Sequence, residues 1–277
     1  MDTQILLDNL DIITEAPNGI QRLRDLVLRL AVEGRLVPQD PRDSPATNDL
    51  QVAIAAKAAA LVGSRRQPPL PRQDDLTQPD LPEGWTWVRM DDVFLVTGGI
   101  QKTSKRRPHR HHYPYLRVAN VQRGSLDLRE IERFELVDGE LERLRLVTGD
   151  LLVVEGNGSE SEIGRCARWN GEIEDCVHQN HLIRCRPMLP GLEYYILLFL
   201  NSPAGMSTMK NLAVTTSGIY NLSVGKIRAI RFPMPPMAER ERIIEKVNQL
   251  MGLCDELKAR QQRRDQLRDR FIASQFL

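Results

Sequence analysis

The sequence predicts an α+β protein: a mostly-β middle domain, flanked by helical segments and followed by a long coiled-coil helix. Three observations carry that prediction. Apolar residues recur at helical spacing towards both ends of the chain, short β-type runs separated by glycine and charged turns fill the middle, and a proline-rich stretch separates the first helices from the strands. The boundaries that follow are residues 1–80 for the helices and linker, 81–236 for the β-rich domain and 237–277 for the long helix.

Taken in order, Ile5, Leu6, Leu10 and Ile13, with Asn9 as a polar gap, fit a helix over about residues 3–14 that ends at the turn Ala16-Pro17-Asn18-Gly19. Ile20, Leu23, Val27 and Leu30 then form one apolar stripe, stopped by Gly34 and Pro38. Asn48 to Val62 is alanine-rich and reads as a third helix. Arg65 to Pro82 carries Pro68, Pro69, Pro71, Pro79 and Pro82, which suits an extended linker. Strands are expected at Val93–Thr97, Tyr115–Val121, Ile131–Leu136, Leu151–Glu155, Gly164–Trp169, His181–Arg186 and Arg228–Phe232. Two short helices, Leu192–Leu200 and Gly205–Leu212, are split by Ser202-Pro203. Pro233 to Pro236 leads into a helix from about Ala238 to Ala273, in which Ile243, Val247, Leu250, Cys254 and Leu257 alternate steps of four and three, a coiled-coil seam. Past Leu257 the seam falls on Gln261 and Arg264, and Leu267 and Phe271 resume it with a shifted phase.

Composition excludes several classes. With 277 residues, 41% of them hydrophobic and 27% charged, the chain has the profile of a soluble globular protein. Its densest apolar run, Tyr195 to Leu200, is far short of a membrane helix, and Asp2, Asp8 and Asp11 interrupt any export leader, so a cytoplasmic protein is expected. Cys166, Cys176, Cys185 and Cys254 make no C-x2-C pair and read as reduced structural thiols. The net charge of +1 hides a local asymmetry. Between Gly98 and Gly124 stand Lys102, Lys105, Arg106, Arg107, Arg110, Arg117 and Arg123 with no carboxylate, whereas Ser125 to Asp175 holds fourteen Asp and Glu against six Arg.

Catalytic signatures fail on specific residues. Gly225-Lys226 is followed by Ile227, where a phosphate loop needs Ser or Thr. Asp150 and Glu155 bracket a strand, but Gly156-Asn157-Gly158 supplies no lysine for a nuclease metal site. Pro235-Pro236 lies between Met234 and Met237, outside any Asn/Asp-Pro-Pro-aromatic loop of a DNA methyltransferase. His109, His111 and His112 have metal-ligand spacing, yet Arg106, Arg107 and Arg110 surround them and oppose a cation. That basic cluster suits a phosphate backbone, with Tyr113 and Tyr115 offering stacking contacts. Three polar turns are candidate base readers, because amides and hydroxyls can pair with base edges: Asn157, Ser159, Glu160 and Ser161; Gln179-Asn180-His181; and Thr215-Thr216-Ser217-Gly218-Ile219-Tyr220-Asn221.

Four stretches together resemble the DNA-specificity subunits of type I restriction-modification systems. They are Leu7 to Pro41, with Thr14-Glu15-Ala16-Pro17-Asn18-Gly19 and Leu30 to Asp40; Leu81-Pro82-Glu83-Gly84-Trp85; Ser217 to Leu222 through Ile227 and Ile230; and Phe232 to Arg240. The resemblance implies a non-catalytic subunit whose target recognition domain reads DNA and which scaffolds methyltransferase and restriction subunits. S-adenosylmethionine, ATP and magnesium then belong to those partners, and no cofactor or metal to this chain. Members usually carry two recognition domains and two conserved helical regions, whereas this sequence holds one of each. It therefore resembles a half-length form, expected to read one half of a bipartite site and to work with a second copy of itself. Two alternatives stay open: a stand-alone DNA enzyme, and an interaction or antagonist protein that binds partner subunits through its helices without reading DNA.

Overall fold

The computed structural model describes residues 16–62, 70, 79–101, 103–156, 163–213 and 220–275. The helix expected over residues 3–14 and most of the proline-rich linker lie outside them.

Helix α1 (Gly19–Val32) follows Asn18, whose left-handed backbone (φ 55°) turns the chain into it. Ile20, Leu23 and Val27 of the expected stripe are buried, with Ala31 and Val32, and Leu30 packs half-buried beside them. Gly34 ends the helix at φ +67°, with Arg35 N–H donating to the Leu30 carbonyl at 2.9 Å. A Cβ on Gly34 would lie 2.6 Å from Pro82 Cγ and 3.0 Å from Trp85, so this turn is moulded onto the Leu81–Trp85 segment. Helix α2 (Ala46–Ala60) buries only Ala46 and Ala53, and its first N–H donates to the Gly84 carbonyl.

Strand β1 (Thr86–Arg89) pairs antiparallel with β9 (Arg231–Met234), placing Thr86 opposite Met234. The two strands at either end of the β-rich middle stretch thus pair with each other as a neck. Pro233 is tolerated in β9 because a two-stranded sheet has only edges. Between them run α3 (Met90–Val93), β2 (Phe94–Gly98), β3 (His112–Leu116), β4 (Glu132–Glu135), α4 (Glu140–Leu144), β5 (Leu151–Val154), β6 (Cys166–Arg168), β7 (Val177–His178), β8 (Leu182–Pro187), α5 (Leu192–Asn201), α6 (Pro203–Ala213) and α7 (Val224–Ala229). One sheet has the order β2-β8-β5-β6, all antiparallel; the other is β4-β3-β7, with β3 and β7 parallel. β5 is buried on both faces: Leu151 and Val153 join the main core, while Leu152 and Val154 join a second cluster around Trp169 and Leu116. A third cluster stacks Tyr115 on Phe134.

Two expected strands are corrected. The run Tyr115–Val121 stops at Leu116 because buried Asn120 folds the chain back. Its Oδ1 accepts from Arg117 N–H at 2.8 Å and its Nδ2 donates to the Asp127 and Glu130 carbonyls. The run Arg228–Phe232 instead begins as α7, which Ser223 caps by accepting from Lys226 N–H, and the strand starts only at Arg231.

The final helix, α8 (Met237–Gln275), runs antiparallel to α1, as shown by Arg24 meeting Asp255 at 2.5 Å while Val37 and Pro38 line a groove with Arg242 and Lys246. Ile243, Val247, Leu250, Cys254 and Leu257 are all buried, and the main core also contains the stripe of α1. The seam of α8 is therefore covered by α1 of the same chain. From Lys258 to Ser274 only Gln261 is even half-buried, which is where the seam positions turn polar. The four cysteines are free and buried, and burial pushes the Cys166 and Cys176 thiols up to about 12.

Candidate nucleic-acid interface

The loops that carry polar candidates leave one end of the four-stranded sheet. Gly98 ends β2 opposite Ile183, and Val154 ends β5 opposite Leu182, so both strands finish beside the start of β8. Gly99 sits so close to the chain before β8 that a Cβ would meet the His178 and Gln179 carbonyl oxygens at 2.3 Å. Ile100 N–H donates to the His178 carbonyl and Asn180 N–H to that of Ile100, both at 2.9 Å, and Gln179 N–H donates to the Leu116 carbonyl. Glu155 ties in the rest: His181 Nδ1 lies 3.0 Å from its carboxylate, and its backbone carbonyl accepts from Leu222 N–H at 2.6 Å. Gln179, Asn180, Tyr220 and Asn221 are thus brought together with Glu155 and His181. Of these candidates Asn221 and His181 are exposed and the others half-buried. Lys102, Asn157, Ser159, Thr215, Thr216 and Ser217, together with the side chain of Lys105, lie outside the described residues.

The basic loop leaves the same end and returns along β4. Glu135 accepts from the backbone N–H groups of His109 at 2.7 Å, Arg110 at 3.1 Å and His111 at 2.8 Å, and those bonds, that of His111 foremost, hold its carboxyl below the usual range. Arg106 turns inward to a two-pronged pair with Glu140 at 2.8 and 2.9 Å, which lowers the Glu140 carboxyl and raises the guanidinium. Arg107 and Arg110 remain exposed on the pinned loop.

Three of the expected DNA contacts have partners within the chain. Arg106 is committed to Glu140, Tyr113 packs against the third cluster, and Arg117 is half-buried, 2.7 Å from Glu132 and 3.5 Å from Glu130. The open cavity of about 510 Å³ beside Arg117 balances Arg117 and Arg129 against Asp127 and Glu130 and has no net positive charge. Of the three histidines, His112 spends its Nδ1 lone pair on Arg133 Nε at 2.7 Å. Among the described residues no three His, Cys, Asp or Glu side chains are gathered for a metal ion, and no helix is long and apolar enough to cross a membrane.

Local spacing gave no sign of the polar side chains buried elsewhere against the sheet, the Asp150–Arg186 pair at its opposite end among them. Asp150 is fully buried, gripped by Arg186 through two 2.8 Å bonds. Buried Arg184 donates to the Arg145 and Arg143 carbonyls at the C-terminal end of α4, and burial, then the neighbouring Arg186 charge, lower it to about 10. His178 is fully buried with no well-formed hydrogen bond to its ring. Burial first, and Arg184 second, depress it to about 3, outweighing a favourable contact with the Leu144 backbone.

Comparison with known proteins adds sequence relatives. The chain is 30% identical over 244 residues to the type I restriction enzyme EcoEI specificity subunit of Escherichia coli, covering 86% of this chain and 40% of that one. It is 32% identical over 250 residues to the EcoAI specificity subunit of the same species, covering 86% and 41%. The chain therefore spans about 40% of the length of these curated relatives. Among solved structures, a chain described under the structural basis of complex assembly and conformational transition of the type I R-M system shares the fold. Its TM-score is 0.55 at 18% identity, over 96% of this chain and 55% of that one. No protein-family model matches the chain.

Proposed function

We propose that this chain, a member of the type I restriction enzyme specificity-subunit family, is a non-catalytic reader of duplex DNA that takes one half of a split target sequence. The observation that carries this reading is the convergence of the polar turns at Glu155, Gln179–His181 and Tyr220–Asn221 on the sheet end from which the basic loop departs. Arg107 and Arg110 would neutralise phosphates and fix the register. The amides and hydroxyls, including those of the Asn157–Ser159 and Thr215–Ser217 segments, would read base edges. The helices would dock methyltransferase and restriction subunits, to which S-adenosylmethionine, ATP and magnesium belong, in the cytoplasm. A second copy would supply the other reading head. Because α1 already fills the seam of α8, contact between copies would fall on α8 beyond Leu257, where Leu267, Phe271 and Ile272 are exposed.

The test is the salt dependence of duplex binding by the full chain. Replacing Arg107 and Arg110 with alanine should flatten the plot of log affinity against log salt by about two units. Wild-type binding with an unchanged slope removes the loop from the interface. No duplex binding by the wild type, alone or with a methyltransferase partner, favours the interaction-only reading.

A further inference from the structure

We propose that Glu135 is a positioning residue for DNA binding: its carboxylate fixes the curvature of the loop that presents Arg107 and Arg110. The inference rests on the reading of that loop as a DNA-backbone contact. Three successive backbone N–H groups, from His109, Arg110 and His111, converge on this one carboxylate at 2.7 to 3.1 Å. Leu136 N–H, one residue on, donates to the His111 carbonyl at 3.0 Å, so the carboxylate and the strand backbone grip the loop together. Arg106 anchors the near side through Glu140 and through the Glu135 carbonyl at 3.2 Å. Glu140 is itself oriented by Val137 N–H at 3.0 Å. The two exposed arginines consequently sit on a backbone whose shape is set before DNA arrives, and binding need not bear the entropy of ordering it.

Charge alone makes the opposite prediction. A carboxylate beside phosphate-binding arginines repels DNA, so its removal should strengthen binding if electrostatics is its only influence. Positioning and field effects therefore differ in sign.

The experiment compares the full-length wild type with Glu135→Ala, Glu135→Gln, Arg107→Ala/Arg110→Ala and the triple variant. Fluorescence anisotropy with a labelled mixed-sequence duplex, over salt from about 50 to about 200 mM, reads affinity and slope, and thermal melting monitors the fold. Glu135→Ala should weaken binding roughly 3- to 10-fold and flatten the slope by up to about two, with Glu135→Gln, which keeps an acceptor, in between. In the Arg107→Ala/Arg110→Ala background the same change should do nothing further, a non-additivity that general destabilisation would not produce. If Glu135→Ala lowers the melting temperature, Glu135→Gln carries the comparison. Equal or tighter binding by the Glu135 variants, or the same loss in both backgrounds, overturns the proposal. If the double arginine variant binds like the wild type, the loop reading itself fails; if it weakens while the Glu135 variants do not, only the positioning role falls.

Discussion

His178 should make the fold sensitive to mild acid. Its ring is fully buried and depressed to about 3, whereas an unfolded chain holds histidine near its ordinary 6.5. Between those values the unfolded state binds the extra proton, so stability is fully present above pH 6.5 and drains away as pH falls towards 3. The full difference of about 3.5 units corresponds to roughly 5 kcal/mol at 1.36 kcal/mol per unit, and about 2 kcal/mol of it is lost by pH 5. Carboxyls such as Asp91 also lose their partners in acid, its hydrogen bonds to Arg228 and Lys57 having overcome burial to hold it low. The informative quantity is therefore a difference between chains. His178→Phe removes the titration and leaves the carboxyls in place. Urea unfolding at about pH 7.5 and about pH 5 should show the wild type losing about 2 kcal/mol more than the variant. Identical losses would refute the reasoning that His178 is held neutral by burial.

Other consequences follow from the neck and the seam. Gly34→Ala should cost about 2–4 kcal/mol in urea unfolding, because φ +67° strains alanine and its Cβ would press on Pro82 and Trp85. Val247→Asp places an unpaired carboxylate in the fully buried α1–α8 seam, and a loss of at least about 3 kcal/mol should appear as a lowered melting temperature. Trp85→Phe should cost about 1–3 kcal/mol by stranding the Glu239 carboxylate, which accepts from Trp85 Nε1 at 2.9 Å in a buried site.

Periodicity made the longer helices among the described residues and most strands legible, whereas the short helices α3, α4 and α7 and the strands β1 and β7 were not expected. The stripe Ile20, Leu23, Val27 and the seam Ile243 to Leu257 are buried, and the polar shift at Gln261 marks where burial stops. What local patterns do not encode is long-range partnership. Nothing near Arg106 or Arg117 announces Glu140 or Glu132, since those carboxylates arrive from α4 and β4, 34 and 15 residues away. Asn120 ends a run of strand-forming residues by a side-chain bond to backbone seven residues on, a competition that propensity ignores. The convergence of Glu155, His181 and Asn221 likewise needed the register of β2, β5 and β8. The individual polar turns were visible as turn chemistry and only their assembly was not.

Whether this chain reads sequence is decided by selection from a random duplex library with the full chain, alone and with an added methyltransferase subunit, followed by sequencing of the bound fraction. Two inverted copies of one short sequence around an unread spacer should be enriched, with the preferred bases changed when Gln179, Asn180 and Asn221 are replaced. A bound fraction with no enriched sequence, or one whose preference survives those replacements unaltered, would contradict it.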